Sequence, residues 1–319
     1  MRAVVFEEFG DRSVLRVQDR PDLSPGPGEA LVLVGASGVN YMDVYQRTGT
    51  YQVPLPATLG SEGAGTVLQL GDGVRGLAPG DRVAWTAVPG SHAEQALVPA
   101  ERLVPVPDGI TTEQAAAVLL QGLTAHYLTH DSFAVRPGST VLVHAAAGGM
   151  GQLLTRIATH LGGRVIATAS TPEKRDLAEA AGAVRAVPYD AAADTVDELT
   201  GGAGADAVYD GVGADTFDTS LRVLRPRGTL VLFGAASGKV PPFDPLRLMA
   251  GSYFLTRPTL GHFIATRREL LERAETLFGW VAESVVDATI TGRYPLDEVV
   301  SAYETLESRR STGKLLIIP

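Results

Sequence analysis

Residues Thr140-Val-Leu-Val-His-Ala-Ala-Ala-Gly-Gly-Met-Gly-Gln152 decide the fold of this chain. The apolar run at 141–143 is typical of a buried parallel strand, and apolar residues at helical spacing follow the turn. The turn itself fits G-x-G-x-x-G, with Ala146, Gly148 and Gly151 in the three small positions. Such a turn lets backbone N–H groups and a helix terminus approach a pyrophosphate. It also occurs where a helix merely packs closely, so the rest of the chain has to decide.

The sequence after Arg136 alternates between strand and helix patterns. Strands are predicted at 140–146, 164–169, 184–188, 206–211 and 228–234, and helices at 149–161, 171–182, 191–200 and 214–224. Helices between successive strands indicate right-handed crossovers and a doubly wound parallel sheet. The glycine-rich turn ends the first strand of this series, where a dinucleotide-binding fold requires it. This context favours cofactor binding over close packing alone.

Residues 1–117 have a different pattern, in which short strands are separated by turns rich in glycine and proline. The predicted strands are Ala3–Phe6, Glu29–Ala36, Glu62–Leu70, Arg82–Thr86 and Ala93–Val98. This pattern predicts an irregular, barrel-like β domain.

After residue 259 the chain has too few elements for a third core. They are a helix over 260–284, a strand at Ala288–Arg293, a helix at 296–307 and a strand at Lys314–Ile318. We expect them to return to the β domain. That domain then comprises residues 1–117 and 260–319, and the nucleotide domain comprises 118–259. The predicted fold class is α/β, with a doubly wound sheet inserted into a β-rich domain.

Composition limits the partners of the protein. The net charge of -9 argues against nucleic acid or an anionic membrane as its partner. No apolar run approaches the roughly 20 residues that cross a bilayer, and the N-terminus becomes acidic too early for a signal peptide. The sequence contains no cysteine, which excludes disulfides and thiolate metal sites. We therefore expect a cytoplasmic protein.

The end of the second nucleotide-domain strand indicates which dinucleotide is bound. An acidic residue about 20 residues after the turn would bind the ribose hydroxyl of NAD. Ser170 stands there instead, with Thr171 at a helix start and Lys174 one turn later. This set suits the 2′-phosphate of NADPH, although Glu173 counts against it. Alternatively, the serine and threonine form an ordinary helix cap and the lysine is merely solvated.

Seven segments together carry a family resemblance. They are Gly38-Val-Asn-Tyr-Met-Asp-Val-Tyr45, Gly60-Ser-Glu-Gly-Ala-Gly65, Leu120-Gln-Gly-Leu-Thr-Ala-His-Tyr127, the glycine-rich turn, Val208-Tyr-Asp-Gly-Val-Gly213, Leu255-Thr-Arg-Pro258 and Gly313-Lys-Leu-Leu316. In this order they resemble the zinc-independent NADPH:quinone oxidoreductases, the group within the medium-chain dehydrogenase/reductase superfamily that includes zeta-crystallin. The resemblance spans nearly the whole chain. It implies a GroES-like catalytic domain, a Rossmann domain that binds NADPH, and a homodimer.

The resemblance also bears on zinc. Members similar to alcohol dehydrogenase place a cysteine ligand at the position of Asn40 and a histidine ligand at Ser61. Without cysteine, their structural four-thiolate site is impossible as well. His126 and His130 have the i, i+4 spacing of some metal sites, but such a pair is more often part of a helix surface. We therefore expect no metal.

By resemblance, the candidate catalytic residues lie beside the nicotinamide. They are Asn40, Tyr41, Asp43, Tyr45, Arg47 and Thr124. Asparagine and tyrosine could donate hydrogen bonds to a quinone oxygen as it gains charge, or the tyrosines could pack in the core. Asp43 could instead pair with Arg47, which we favour, and Thr124 could instead cap its helix.

The resemblance implies cofactor contacts along the whole dinucleotide. Gly149 and Met150 would contact the pyrophosphate; Ser170, Thr171, Lys174, Tyr189 and Arg309 would surround the 2′-phosphate; and Tyr41, Tyr127, Phe233, Ser237, Gly238, Leu255 and Arg257 would complete the site. His144, at the start of the turn, is predicted to be structural.

Three functions fit these features. The first is reduction of quinones by hydride transfer from NADPH without a metal, and the second is reduction of the double bond of an enone or alkenal. Both take a small-molecule substrate and need the same hydride geometry. The third, of a different class, is a crystallin-like or RNA-binding protein with little turnover, against which the acidic charge counts.

Overall fold

The computed structural model describes residues 1–287, 289–308 and 311–319. The chain divides into two units: the first comprises Met1–Gln121 and Ile264–Pro319, and the second comprises Gly122–Phe263. The sequence had placed these divisions after residues 117 and 259. One α-helix, Thr112–Tyr127, carries the chain from the first unit into the second, so the division falls inside a continuous element.

The described residues form sixteen strands and eight α-helices. The strands are β1 (Arg2–Phe6), β2 (Arg16–Asp19), β3 (Glu29–Gly38), β4 (Ala57–Thr58), β5 (Glu62–Leu70), β6 (Arg82–Thr86), β7 (Gln95–Pro99), β8 (Val104–Pro105), β9 (Thr140–Val143), β10 (Arg164–Thr168), β11 (Arg185–Val187), β12 (Ala205–Asp210), β13 (Leu224–Leu232), β14 (Phe254–Thr256), β15 (Ile290–Pro295) and β16 (Lys314–Ile318). The helices are α1 (Tyr41–Arg47), α2 (Thr112–Tyr127), α3 (Gly149–His160), α4 (Pro172–Ala180), α5 (Ala192–Thr200), α6 (Phe217–Arg222), α7 (Arg267–Ala282) and α8 (Val299–Glu307).

The first unit is built on a seven-stranded sheet and a three-stranded sheet. The larger sheet has the order β15-β16-β3-β5-β6-β8, with β7 also paired to β3, and the smaller has the order β2-β1-β4. The strand pairs are antiparallel except for β15 with β16. Because β16 pairs with β3, the C-terminal strand lies beside the strand that leads into α1. This register places Lys314 close to the start of α1.

The second unit is a parallel sheet with the order β11-β10-β9-β12-β13-β14. Numbered from its first strand, this is the order 3-2-1-4-5-6 of a Rossmann fold, in which ligands bind where the order reverses. That reversal lies between β9 and β12. The buried core includes Leu142, Ile166, Val208 and Leu230. The predicted α/β class, with a doubly wound parallel sheet inserted into a β-rich domain, is confirmed.

Several elements were not predicted or have different bounds. Strands β2, β4, β8 and β14 and helix α1 were not predicted. The helix predicted at 260–284 begins only at Arg267, because Thr266 caps it by accepting a hydrogen bond from the Glu269 N–H. The strand predicted at Ala288–Arg293 is observed as β15, and Ala288 itself lies outside the described residues.

Helix α6 is also shorter than the predicted range of 214–224. The Asp210 carboxylate accepts hydrogen bonds from the N–H groups of Val212 and Gly213 at 2.8 and 3.0 Å. These bonds hold the chain in a turn, with Gly213 at a φ of 91°, before the helix begins. Across the described ranges, the helices are all too short or too polar to cross a lipid bilayer.

Candidate active site

Helix α1 positions most of the candidate catalytic residues of the first unit. Asn40 is extended and immediately precedes the helix, and its N–H donates to the Asp43 carboxylate at 2.9 Å. An acidic residue in the first turn also suits the positive end of the helix. This local hydrogen bond fixes where α1 begins.

The side-chain amide of Asn40 is saturated with hydrogen bonds inside the first unit. Its Nδ2 donates to Glu62 Oε1 at 2.7 Å and to the Gly38 carbonyl at 3.2 Å. Its Oδ1 accepts from Lys314 Nζ at 2.8 Å and from Gln121 Nε2 at 3.3 Å. An amide has two donor hydrogens and two acceptor lone pairs, so all four positions are used.

Glu62 and Lys314 form a buried ion pair next to Asn40. Lys314 Nζ contacts Glu62 Oε1, and Glu62 Oε2 accepts the N–H of Leu120 at 2.9 Å. A side chain at Gly38 would overlap the Glu62 side chain, with its Cβ 2.8 Å from Cγ. The glycine is therefore needed for the carboxylate to reach Asn40 and Lys314.

Asp43 accepts three hydrogen bonds in a fully buried position. Besides the Asn40 N–H, it accepts from Ser61 Oγ at 2.7 Å and from the Tyr303 hydroxyl at 2.8 Å. Burial raises the pKa of Asp43 to about 6, and these hydrogen bonds oppose part of that rise. The carboxylate therefore links three parts of the first unit: helix α1, the loop before β5, and helix α8.

The network continues from Tyr303 to His92. His92 Nε2 lies 2.8 Å from the Tyr303 hydroxyl and Nδ1 lies 2.7 Å from Ser37 Oγ. Because Tyr303 donates its proton to Asp43, Nε2 is the donor to the tyrosine oxygen. Burial lowers the pKa of His92 to about 3, with a smaller contribution from the charge of Lys314. His92 is therefore neutral at physiological pH.

Arg47 does not pair with Asp43, so the favoured expectation for this pair was wrong. Arg47 is buried at the last turn of α1, and its two terminal nitrogens bind the carboxylate oxygens of Glu307 at 2.9 and 3.1 Å. Asp43 is in the first turn of the same helix and faces Ser61 and Tyr303. The two side chains diverge because each has a better partner near the C-terminus.

Tyr41 and Tyr45 form an aromatic cluster with Tyr51. The ring centroids of Tyr41 and Tyr45 are 6.3 Å apart, and those of Tyr45 and Tyr51 are 5.3 Å apart in an edge-to-face arrangement. The Tyr41 hydroxyl donates to the Leu306 carbonyl at 3.3 Å. Tyr51 is 41% exposed, so the cluster combines packing with an accessible aromatic surface.

In the second unit, the glycine-rich turn has the geometry of an anion site. Gly148 precedes α3 and has no side chain to cap it, so the N–H groups of Gly149 and Met150 begin an uncapped helix. A Cβ on Gly151 would lie 2.6 Å from Ala146 Cα, whereas one on Gly148 would lie 3.4 Å from the Ala145 carbonyl. Gly151 therefore serves helix packing, and Gly148 leaves space for a ligand.

Three of the predicted 2′-phosphate residues, Ser170, Thr171 and Lys174, lie at the start of α4. Thr171 caps this helix by accepting from the Lys174 N–H at 3.3 Å, so part of the capping alternative is present. The pKa of Glu173 is lowered by donation from its own N–H and from Thr171. A negative carboxylate next to the lysine weakens the selectivity for a phosphate. The Tyr189 ring stacks on His144, with centroids 5.9 Å apart.

Three further cofactor candidates lie in the loop that follows β13. Ser237 Oγ donates to the Val212 carbonyl at 2.9 Å and accepts from the Asp215 N–H at 3.0 Å, and Gly238 has a φ of 122°. Phe233 packs on Gly211, where a Cβ would lie 2.8 Å from its ring. The loop that follows β12 and the loop that follows β13 therefore contact each other at the carboxyl ends of these strands.

Four candidates near the ends of the second unit also have defined positions. Leu255 packs against the sheet core, and Arg257 donates to the Leu232 carbonyl at 3.0 Å. The Tyr127 ring is buried and stacks on Phe263 at 4.1 Å. Thr124 lies in the last turn of α2, far from its start, so it does not cap the N-terminus of that helix. Arg309 lies outside the described residues.

The donor set in the first unit does not fit zinc. Asn40 and Ser61 stand where the superfamily places ligands, but the amide is saturated and the serine hydroxyl donates to Asp43. Within the part of the chain that the structure describes, no three histidine, aspartate or glutamate side chains form a metal-binding group. His126 and His130 stack face to face at 4.2 Å, which prevents both rings from pointing their nitrogens at one ion.

Sequence reasoning missed the roles of Glu62, His92, Tyr303 and Lys314. The segments that contain Glu62 and Lys314 had been noted for their resemblance, but nothing local indicates that these two residues pair. The spacing of Asn40 and Asp43 was a usable signal for α1, because an asparagine followed three residues later by an acidic residue is typical of a helix start.

Comparison with known proteins agrees with both units. Residues 26–108 match the family described as Alcohol dehydrogenase GroES-like domain, and residues 149–276 match the one described as Zinc-binding dehydrogenase. The quinone oxidoreductase of Pseudomonas aeruginosa is 42% identical over 323 residues, covering 100% of this chain and 99% of that protein. The 2-haloacrylate reductase of a Burkholderia species is 39% identical, with 93% and 92% covered.

A solved structure extends the agreement to three dimensions. Escherichia coli quinone oxidoreductase complexed with NADPH has a TM-score of 0.98 to this chain at 36% identity, with 100% of both chains covered. A GroES-like unit joined to a dinucleotide-binding unit defines an oxidoreductase of the medium-chain dehydrogenase/reductase superfamily. Within it, the chain belongs to the zinc-independent quinone oxidoreductase family, as the resemblance predicted.

Proposed function

We propose that this protein is an NADPH-dependent reductase that transfers a hydride to quinones without a metal. The observation that carries the proposal is the glycine-rich turn, which leaves an uncapped helix terminus open at the reversal point of a Rossmann sheet. The relative and the solved neighbour described as quinone oxidoreductases support the choice of substrate class.

The residues of the second unit fit NADPH by their chemistry. NADPH, when bound, supplies the hydride. Gly149 and Met150 would hold its pyrophosphate through backbone N–H groups, and Ser170 and Lys174 would contact its 2′-phosphate. The close packing at Gly151 holds the turn in the conformation that presents these N–H groups.

The residues of the first unit supply the proposed quinone site. Tyr41, Tyr45 and Tyr51 offer aromatic faces that suit a planar ring. Asn40 has no spare donor for a quinone oxygen while its amide is bound to Glu62 and Gly38. We therefore assign Asn40 to maintaining the site and assign substrate contact to the tyrosines.

The decisive experiment follows the oxidation of NADPH and NADH with ortho-quinones, para-quinones and enones, with and without a chelator. We expect turnover of quinones with NADPH at a rate that the chelator leaves unchanged. Absence of turnover with every acceptor would refute the enzyme proposal. A rate abolished by the chelator and restored by zinc would refute the metal-free mechanism.

Reduction of a carbon–carbon double bond is the second candidate. The relative described as 2-haloacrylate reductase supports it, because it is similar to this chain over nearly its full length. The same hydride geometry serves both reactions, so the acceptor panel separates them by the ratio of kcat/KM for enones and quinones.

The proposal includes a homodimer formed through the second unit. Strand β14 is at the end of the sheet order, and its Phe254 side chain is 61% exposed. The helical turn Pro245–Ala250, which precedes β14 in the chain, also exposes Leu246 by 69% and Met249 by 77%. An edge strand that carries an exposed apolar side chain favours pairing with a second copy. A cytoplasmic location remains a prediction of the cysteine-free composition.

A further inference from the structure

His144 lies at the centre of a buried hydrogen-bond network under the glycine-rich turn. It directly follows β9, and its Nδ1 is 2.8 Å from Thr168 Oγ1 at the end of β10. Its Nε2 is 3.1 Å from Ser220 Oγ in α6. Ser220 in turn donates to Asp210 at the end of β12 at 2.7 Å. The network therefore joins the carboxyl ends of three adjacent strands.

The donors in this network fix the protonation of His144. Asp210 accepts from Ser220, from the Thr216 hydroxyl and from two backbone N–H groups. Because Ser220 gives its proton to Asp210, its oxygen must accept from Nε2–H of His144. Nδ1 then accepts from the Thr168 hydroxyl. Burial lowers the pKa of His144, which keeps the ring in this neutral form.

The same ring also touches the adenosine end of the proposed cofactor site. One face of His144 stacks on Tyr189 at an interplanar angle of 18°. The residue after His144, Ala145, has a φ of 53°, which is strained for a residue with a side chain. An anchored ring immediately before this residue can hold the strained turn in one conformation.

We propose that His144 is a positioning residue of the dinucleotide site, which holds both the pyrophosphate turn and Tyr189 in their binding conformations. It does not touch the reacting atoms, and it acts through Ala145 and through its contact with Tyr189. The proposal rests on the proposed NADPH function. It replaces the expectation that this histidine is merely structural.

The test compares NADPH binding by the unaltered protein and by His144→Leu, followed by fluorescence titration and steady-state kinetics. Loss of both ring hydrogen bonds should weaken NADPH binding by about tenfold. KM for NADPH should rise by a similar factor while kcat at saturating NADPH stays within about twofold. Replacing the exposed His160, at the other end of α3, with leucine should leave both values unchanged.

A purely structural role predicts a different result. His144→Leu would then lower the unfolding temperature without changing NADPH affinity, and that outcome overturns the proposal. If His144→Leu does not fold, Thr168→Val removes only the Nδ1 partner and keeps the side-chain shape. Unchanged NADPH affinity in Thr168→Val would overturn the proposal equally. If the unaltered protein binds no NADPH, the proposed function fails and the inference fails with it.

Discussion

Lys314 and Glu62 are charged side chains buried away from water, and each charge is stabilised by the other. Lys314→Met should destabilise the fold by about 3–5 kcal/mol, because it leaves the Glu62 carboxylate buried without its partner. Urea unfolding followed by circular dichroism measures this loss. The double variant Lys314→Met with Glu62→Gln should recover part of it, because no charge is then stranded. A loss below about 1 kcal/mol for the single variant would contradict this account.

The raised pKa of Asp43 makes stability depend on pH in a specific direction. The folded protein holds this proton up to about pH 6, whereas the unfolded chain releases it near pH 3.8. Between these values the folded state binds more protons, so stability falls as pH rises. Relative to Asp43→Asn, the free energy of unfolding should fall by on the order of 2 kcal/mol over this window and then level off. If the difference in unfolding free energy between the unaltered protein and Asp43→Asn stays constant or grows with pH, the pKa of Asp43 is not raised.

Lys174 tests which dinucleotide the second unit prefers. Lys174→Ala should weaken NADPH binding by about tenfold or more and leave NADH binding nearly unchanged, because only NADPH carries the 2′-phosphate. The neighbouring Arg175→Ala removes the same charge from the same helix and serves as the control. Equal losses for the two dinucleotides in Lys174→Ala would exclude a role at the 2′-phosphate.

At the scale of elements, two glycines of the glycine-rich turn have different roles, one in helix packing and the other in ligand contact. Gly151→Ala should lower stability, because its Cβ would lie 2.6 Å from Ala146 Cα. Gly148→Ala should fold normally, with its Cβ 3.4 Å from the Ala145 carbonyl, but should bind NADPH more weakly because the methyl group would face the pyrophosphate. Thermal unfolding and NADPH titration of both variants measure the two effects. Normal NADPH binding by Gly148→Ala would mean that the pyrophosphate lies elsewhere.

At the scale of the whole molecule, the edge strand β14 with its exposed Phe254 predicts self-association. Phe254→Asp should convert a dimer into a monomer in sedimentation velocity, because a charge at this edge opposes pairing. Leu68, which is 42% exposed in the first unit, provides the control, and Leu68→Asp should remain dimeric. A monomeric unaltered protein at micromolar concentration would contradict the dimer proposal.

Much of the second unit could be predicted because the residue patterns that determine its elements lie close together in the sequence. The apolar run of β9, the small residues of the turn and the spacing of the next helix lie within one short stretch. Helix α6 was predicted too long because the Asp210 side chain, rather than helix propensity, determines the turn before it. The alternation of strands and helices then determined the sheet, since parallel crossovers have one favoured hand.

The sequence by itself determined the α/β class, the dinucleotide turn, the exclusion of thiolate sites and the family resemblance. Only the tertiary structure decided that Asn40 is saturated, that Asp43 bonds Tyr303 rather than Arg47, and that His144 joins three strand ends. The physical reason is the range of the interactions. Periodicity and glycine requirements act over a few residues, whereas Lys314 and Glu62 are 252 residues apart and are brought together by the pairing of both β16 and β5 with β3.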